Sequence, residues 1–358
     1  DQPALSLESI GSDLSEKGDA LDLALGSVLE EVRQVNETMT ASSGTLLEQM
    51  RAINAQVGVV TDVLRRSAQD AQAGAQSDRF EDISEQELLA NRDAGRITDA
   101  RNKGIVEGDV NVGGIVGSMA IEYDFDPEDD LTEDGERSFD FRYQAAAVVM
   151  NSVHEGRVTA KKNYAGGIVG RADLGILYLC QGVGPVESTD GDYVGGIAGL
   201  SRTTIRSCWA KCLLSGGNYV GGVVGRGEED SVTRDCRTLV CITEHGQYAG
   251  AVSGTEEGTF VGNLFVSEEL AGLGRVSYSG KAEPVSFADF SALEDVPEAL
   301  KTFTLTFRTD NEILKQVSFS YGDSFDEEAY PALPQREGYY ARWSLESLED
   351  LRFDTVVE

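Results

Sequence analysis

The sequence predicts a mainly β protein whose centre is a parallel, right-handed β-solenoid. A long helical, coiled-coil segment is expected before the solenoid and a small β module after it. Three observations predict this order. A glycine-rich phrase recurs at a nearly constant interval, the residues before it follow a heptad, and those after it alternate between apolar and polar. The expected domains are 1–92, 93–278 and 303–358, with a connector over 279–302.

Apolar residues in the first domain repeat in alternating steps of four and three, which is the heptad seam of a coiled coil. A second run has the same rhythm but is out of phase by one residue, and the slip falls at residues 40–44. The pattern predicts either an oligomerising stalk or a helical hairpin that packs on itself. Residues 65–92 have the composition of a fraying helix end and linker. The two runs are Leu14, Gly18, Leu21, Leu25, Val28, Val32, Val35 and Met39, then Leu46, Met50, Ile53, Val57, Val60 and Leu64.

The phrase that defines the solenoid occurs five times. Its closing glycines Gly170, Gly199, Gly225 and Gly254 are 29, 26 and 29 residues apart, and Gly117 lies 53 residues before Gly170. One period therefore contains an insertion. Self-similarity at about 20–50 residues is typical of a solenoid, in which each unit stacks on its neighbours to bury its apolar face. The copies are Asn111–Gly117, Asn163–Gly170, Asp192–Gly199, Asn218–Gly225 and Gln247–Gly254.

Each period of 26–29 residues has room for three strands of about five residues with corners between them. β-branched residues and glycine turns favour strands from Ile97 onwards. Five phrases and an imperfect unit near Phe260–Val266 predict six rungs. Paired glycines such as Gly195–Gly196 permit positive φ and the close approach of another backbone, as a coil corner demands. A phosphate-binding loop is disfavoured, because it would occur once and precede a helix.

An acidic insertion, residues 122–143, separates the first two units. Asp124, Asp126, Glu128 and Asp130 could hold calcium through oxygen ligands. Their spacing lacks the glycine and the closing glutamate of an EF-hand loop. The sequence therefore favours a solvated loop over a calcium site.

The five cysteines fall into two columns of the predicted stack. Cys180, Cys208 and Cys236 are 28 residues apart, and Cys212 and Cys241 are 29 apart. In a parallel, in-register stack the Cβ vectors run side by side, so we expect buried thiols that act as small apolar fillers. A four-cysteine zinc site is the alternative, but residues four apart on a straight strand stand ~13 Å apart, too far for one ion.

Tyrosines form a further column: Tyr164, Tyr193, Tyr219 and Tyr248. If exposed, they would make a stacked platform for sugar or peptide. We expect them instead to pack inward or at a corner, because large aromatic side chains are usually mostly buried. Both faces of the phrase are fairly apolar, so the pattern leaves open which face looks inward.

Composition narrows the classes of function. The net charge of −32 argues against nucleic acid or an anionic membrane surface as a partner, because both need a basic face. No apolar run approaches the roughly 18 residues of a membrane span. His154 and His245 lie far apart, and no catalytic motif accompanies them. The sequence therefore predicts no enzyme activity and no cofactor.

The phrases NYAGGIVG, DYVGGIAG and NYVGGVVG resemble the GLUG-motif repeats of bacterial surface and secreted proteins, over about residues 97–270. The first copy departs at Asn111, which replaces the aromatic, and the fifth at Gly250–Ala251, which replaces the glycine pair. The tail, with its TLTF and VSFSY segments, a proline turn at Pro331–Pro334 and the Gly338–Tyr339 pair, resembles the Listeria–Bacteroides repeat of cell-wall-attached proteins. That resemblance implies a β-grasp-like module over 303–358.

Together the two resemblances imply a non-catalytic, extracellular segment of a bacterial cell-surface protein, anchored outside the segment given. Its work would be adhesion, display or spacing. The expected partner is a host or cell-wall glycan or protein, with homo-oligomers formed through the N-terminal helix. The alternative is a carbohydrate-binding module or the accessory region of a secreted hydrolase. A solvent-facing tyrosine column beside a groove would favour that alternative.

Overall fold

The structure, a computed structural model, describes residues 23–38, 45, 49–50, 53, 80–88, 95–121, 143–309, 312–333, 342–345 and 347–358. The chain divides into two units, Asp1–Asp78 and Arg79–Glu358. Within the described ranges, no helix is both long and apolar enough to cross a membrane.

In the first unit, residues 23–38 form helix α1. Arg33 pairs with Glu30 and Glu37 on its surface, at 2.8 and 3.2 Å, as neighbours one turn apart do. The heptad residues of this helix are 56–59% exposed. Apart from residues 45, 49–50 and 53, the rest of the predicted stalk or hairpin lies outside the described residues, so the coiled coil remains a prediction. The exposed heptad residues are Leu25, Val28, Val32 and Val35.

The second unit is mainly β, with parallel strands in stacked sheets, as the sequence predicts. We call this stack the β column, and its sheets the four walls. Six successive turns of chain, the rungs, cover 95–119, 143–172, 176–201, 204–227, 232–254 and 259–284. Successive rungs pair in register, for example Val158 with both Val106 and Val186. The arrangement is compatible with a parallel β-solenoid.

The strands of each wall lie one above another. The first wall contains Arg96–Thr98, Val148–Met150, Ile176–Tyr178, Thr204–Arg206, Val232–Arg234 and Thr259–Val261. The second contains Arg101–Asn102, Val106–Gly108, Val153–His154, Val158–Ala160, Gln181–Val183, Val186–Ser188, Trp209–Ser215, Arg237–Glu244, Asn263–Val266 and Ala282–Pro284. The third contains Val112–Gly113, Ala165–Gly166, Val194–Gly195, Val220–Gly221 and Ala249–Gly250, and the fourth Val116–Met119, Val169–Ala172, Ala198–Ser201 and Val224–Gly227.

The prediction of three strands per coil is wrong, because the chain bends more often than the repeat length suggests. The second rung alone contributes five short strands after residue 147, each of two to four residues. In the fourth and fifth rungs the two strands of the second wall merge into one strand of seven or eight residues.

The core of the β column is formed by aliphatic residues that point inward at matching positions of every rung. On the first wall, the inward column reads Ile97, Val149, Leu177, Ile205, Thr233 and Phe260. β-branched and aromatic side chains suit such a pleated, buried surface. On the outer face of this wall, Val148 and Ile176 are also buried. The short helix α2 (Ser84–Leu88) contacts their strands, and the preceding strand Phe80–Asp82 pairs with Tyr143–Ala145.

After the column, helix α3 (Phe287–Ala292) is capped by Ser286, whose Oγ accepts a hydrogen bond from the backbone of Asp289. A short 3₁₀ helix follows at Glu298–Leu300 and another lies at Glu327–Ala329. The C-terminal module has two small sheets. In one, Phe303–Arg308 lies between Ile313–Phe319, antiparallel, and Thr355–Val357, parallel; in the other, Asp323–Phe325 pairs with Leu348–Leu351.

The module packs against the outer face of the second wall. Trp209, Leu239 and Val266 of the column share one apolar cluster with Phe303 and Leu300. Lys211 is buried within this contact, where its Nζ donates to the Thr302 carbonyl at 2.7 Å and pairs with Asp354 at 2.5 Å. The ammonium also lies 4.5 Å from the centre of the Phe303 ring. These contacts hold the module against rungs four to six.

Candidate functional site

The recurring phrase forms the corner before the third wall, and its tyrosines stack there. Tyr164, Tyr193, Tyr219 and Tyr248 occupy the same position in rungs two to five. Their ring centres are 4.9, 4.9 and 4.8 Å apart, and the planes of the last two pairs differ by only 8° and 2°. Ring spacing follows the rung spacing, so each face of an inner ring is used by its neighbour.

The corner depends on a left-handed backbone at the tyrosine. Tyr164, Tyr193 and Tyr219 have φ of 71°, 68° and 64°, and Asn111 has 54° at the same place in rung one. A non-glycine residue pays about 1–2 kcal/mol for this conformation. Stacking of rings contributes roughly 0.5–1.5 kcal/mol for each pair, which offsets much of the strain. Asn111, which departs from the aromatic pattern, tolerates the conformation for a different reason, because Asn is among the few residues that adopt it readily.

The expectation that the paired glycines adopt positive φ is therefore wrong, since the tyrosine two residues before each pair adopts it instead. The glycines are needed for close approach alone. A Cβ added to Gly166 would lie 1.9 Å from the Val169 carbonyl oxygen, and one on Gly167 would lie 2.1 Å from that of Gly196. No side chain fits at such distances.

An amide ladder runs beside the tyrosines. Asn163 Oδ1 accepts a hydrogen bond from the backbone N–H of Asp192 at 2.9 Å. Asp192 Oδ1 accepts in turn from Asn218 at 2.7 Å, and Asn218 Oδ1 accepts from Gln247 at 2.9 Å. Each rung is thus tied to the next by a side chain as well as by the sheets. The Asn or Asp that precedes the tyrosine in each of these rungs is the sequence signal of this ladder.

Exposure rises along the tyrosine column. Tyr164 and Tyr193 are 4% and 3% exposed, Tyr219 is half-buried and Tyr248 is 38% exposed. Arg171 and Arg226 lie over the Tyr164 and Tyr219 rings, at 5.4 and 5.3 Å. Burial raises the pKa of Tyr219. Neighbouring tyrosine rings therefore cover one another's faces, and Tyr248 is the most accessible of the four.

Cys180, Cys208 and Cys236 form a buried column at the corner between the first and second walls. The backbone N–H of Cys180 donates to Cys208 Sγ at 3.4 Å, and that of Cys236 donates to Asn263 Oδ1 at 3.0 Å. Ser152 stands at the same position one rung before Cys180, where its Oγ accepts from Ala100 at 3.3 Å. These cysteines are free and buried, as predicted. They also take part in a ladder of hydrogen bonds that links successive rungs.

The predicted second cysteine column is wrong. Cys212 pairs with Val240, and Cys241 pairs with Leu213. Cys212 is buried, and burial raises its pKa to about 12, whereas Cys241 is exposed. Rungs four and five are 28 residues apart on this wall, and Cys241 lies 29 after Cys212, so Cys241 turns to the opposite face.

The two histidines lie in different surroundings. His154 is 1% exposed, and neither ring nitrogen has a hydrogen-bond partner of normal geometry within the described part of the chain. Gly114 makes room for its ring, since a Cβ there would lie 2.3 Å from His154 Cγ. Burial lowers the pKa of His154, and the neighbouring backbone of Asn102 and Gly156 opposes this only in part. His245 is exposed, and its Nδ1 lies 2.8 Å from the Gly246 carbonyl.

A shallow polar groove of about 390 Å³ lies on the outer face of the second wall. Its sides include Arg157 and Glu187, which form an ion pair at 2.8 Å, together with Ser215, Thr243 and Glu244. In the described ranges, no cluster of three or more His, Cys, Asp or Glu side chains is placed to hold a metal ion. The calcium candidates Asp124, Asp126, Glu128 and Asp130 lie outside those ranges, and that prediction remains a prediction.

Comparisons of this chain with protein-family models, with curated proteins and with solved structures gave no match.

Proposed function

We propose that this chain is a non-catalytic, extracellular segment of a bacterial cell-surface protein, in which a parallel β-solenoid serves adhesion, display or spacing. The observation that carries the proposal is the structural use of every position in the recurring phrase. A pattern that selects for stacking alone is typical of a scaffold, whose function lies in its length and surface.

The fourth copy, Asn218–Gly225, illustrates this use. Asn218 extends the amide ladder and Tyr219 extends the ring stack. Val220, Val223 and Val224 are fully buried in the core. The glycines at 221, 222 and 225 stand where a Cβ would meet backbone oxygen within 2.5 Å. The phrase has no residue left over for chemistry, so its recurrence is accounted for by architecture.

The N-terminal helix supports the further proposal of a stalk that associates with a second copy. The heptad residues of α1 are more than half exposed, and so are Met50 and Ile53 of the second run, at 62% and 60%. In a helical hairpin these two seams would bury each other. Their exposure favours burial against another chain, as in a coiled coil.

Location can be tested on the cells that produce the protein. Antibodies raised against residues 143–309 are applied to intact cells and to permeabilised cells, and intact cells are also treated briefly with protease. We expect labelling of intact cells and loss of the protein to the protease. Labelling that requires permeabilisation would contradict the proposal. A cytoplasmic protein of the same cells, probed in parallel, shows whether the cells stayed intact.

The alternative function, a carbohydrate-binding module, is favoured by the exposed Tyr248 and the polar groove at Glu187. We test it with a glycan array, using the unchanged chain, Tyr248→Ala, Glu187→Ala and the control Ile313→Ala, whose side chain is exposed on the C-terminal module. Specific binding that either site variant abolishes, and the control retains, would establish this alternative. Absence of any bound glycan leaves the scaffold proposal as the better account.

A further inference from the structure

His154 carries a titratable ring into the interior of the β column. It shares its register with Asn102 of rung one and with Gly182 of rung three. The side chain is 1% exposed, and among the described residues neither ring nitrogen has a hydrogen-bond partner of normal geometry. A neutral imidazole has one donor and one acceptor, and burial without partners is unfavourable for both. Burial of a charged imidazolium would be more unfavourable still.

Rung one covers this ring, and rung three leaves it no space. Asn102 Nδ2 donates to the Gly114 carbonyl at 2.8 Å, so the Asn102 side chain bridges the second and third walls beside the ring. A Cβ on Gly114 would lie 2.3 Å from His154 Cγ. On the side of rung three, a Cβ on Gly182 would lie 2.1 Å from the Gly196 carbonyl oxygen. The ring can therefore reach water when rung one moves away.

Rung one is also held less firmly than the rungs inside the column. In the described part of the chain its strands are the outermost of their sheets, so they bond to rung two alone. Val112 and Met119 are the two buried apolar side chains of 95–119, whereas rung three buries nine. Because burial of apolar surface stabilises each rung, loss of rung one costs less free energy than the opening of an inner rung.

The charged groups near His154 lie on the outside of the column. Arg101 and Lys103 of rung one are exposed, and Lys103 pairs with Glu155 at 2.7 Å. Glu155 favours the charged imidazolium, but burial has the larger effect and lowers the pKa of His154. The other segments of rungs one to three that lie nearest the ring carry no charged residue; they are 112–116, 165–169 and 181–183.

We propose that protonation of His154 opens rung one, which makes the start of the column an acid-sensitive switch. Above about pH 6.5 the imidazole is neutral and rung one stays closed. Below that pH the open form, whose ring is in water, binds a proton that the closed form does not bind. The open population therefore rises as the pH falls, by at most about tenfold between about pH 7.5 and 5.5. Rungs three to six keep their stacking.

Hydrogen exchange of the full chain, read by mass spectrometry of its peptides, measures how often each rung opens. Samples are labelled at about pH 7.5 and about pH 5.5, where carboxylates ordinarily remain ionised, and the labelling times are scaled to the slower intrinsic exchange in acid. We expect the amides of 95–119 to lose about three- to tenfold of their protection at the lower pH. The amides of 204–227, in rung four, should keep theirs.

Three variants identify the group responsible. His154→Gln removes the titrating ring, so the protection of 95–119 should be the same at both pH values. Glu155→Gln breaks the ion pair with Lys103 but leaves the ring, and His245→Gln replaces the exposed histidine, so both should keep the pH effect. Unchanged protection of 95–119 in the native sequence overturns the proposal. Equal losses in every rung, or a loss that survives His154→Gln, overturn it too.

A second measurement decides the matter if His154→Gln fails to fold. The chain contains two histidines, so His245→Gln leaves His154 as its one imidazole in an NMR spectrum. We expect the His154 ring signals to titrate over the same pH range in which 95–119 lose protection. A ring that takes up its proton while those amides stay protected overturns the proposal.

Discussion

Two corners of the β column meet the same geometric demand with side chains that point in opposite directions. At the corner between the first and second walls, a left-handed residue such as Leu179 or Ser207 precedes a small polar residue that turns inward. At the corner before the third wall, the left-handed residue is itself the large one, Tyr193 for example, and the residue after it turns inward. A sharp bend in the backbone can thus be stabilised by hydrogen bonds inside the column or by ring stacking outside it.

The difference shows which kind of substitution should destabilise each corner. The inner corner depends on donors and acceptors that would otherwise be buried without partners, at about 1–3 kcal/mol each. The outer corner depends on ring contacts and on the absence of side chains at the following glycines. Three sets of variants test the two corners, beginning with the largest expected effect, and a fourth tests the buried His154 of the second wall.

Gly195→Ala should destabilise the column by about 3 kcal/mol, because the new Cβ would lie 1.9 Å from the Ala198 carbonyl oxygen. The measurement is urea unfolding of the full chain. Gly26→Ala is the matched control, because nothing lies within 4 Å of a Cβ at Gly26 of helix α1. A loss below about 1 kcal/mol at Gly195 would show that the backbone can move aside and that the packing at this corner is not tight.

Tyr193→Ala should cost about 3 kcal/mol, since it removes a buried ring that stacks on both sides. Tyr193→Gly should cost about 1 kcal/mol less, because glycine adopts positive φ without strain. The two unfolding free energies are compared by the same urea titration. If glycine proves no better than alanine, the backbone at this corner is not strained in the way its φ of 68° indicates.

Cys208 tests the inner corner. If the Cys208 thiol matters as a hydrogen-bonding group, Cys208→Ser should cost less than Cys208→Ala, because Ser152 already fills the equivalent position two rungs earlier. We expect about 1–2 kcal/mol for alanine, from the lost hydrogen bond and the small cavity. A purely apolar filler would give the reverse order, with serine the worse substitution. Thermal unfolding of both variants decides between them.

His154 should make stability depend on pH. Its pKa is lowered in the folded state, mainly by burial, so below about pH 6.5 the unfolded chain binds a proton that the folded chain does not. Stability is therefore complete above that pH and falls as the pH decreases, by at most about 1.4 kcal/mol per pH unit. Glu155, the neighbouring acid, opposes the shift. His154→Gln should flatten the profile below about pH 6.5, while the exposed control His245→Gln should keep it.

Much of the column could be predicted from the sequence, because its period is marked by positions that accept only glycine. Gly170, Gly199 and Gly225 mark the rungs, since each lies where a Cβ would meet backbone. The alternation of Phe303, Leu305 and Phe307 likewise predicted a strand whose apolar face is buried. In both cases steric or hydrophobic demands act at a fixed spacing.

The features that the sequence does not predict are those whose local geometry depends on contacts between distant parts of the chain. The left-handed tyrosines could not be predicted from propensity, because glycine is the default for that conformation and a glycine pair begins two residues after each of them. The outward turn of Cys241 followed from one extra residue, which reverses the face of a strand. The burial of Lys211 depends on Asp354, 143 residues away, and no local pattern marks such a pair.

The docked C-terminal module has a mechanical consequence. Because Lys211 in rung four anchors a module that follows rung six, the chain doubles back along the column instead of continuing beyond it. Pulling on the C-terminus would thus shear the module along the wall before any rung is drawn apart. The segment would therefore be short and stiff. Under load, the contact between the C-terminal module and the second wall would break before the stacked rungs separate.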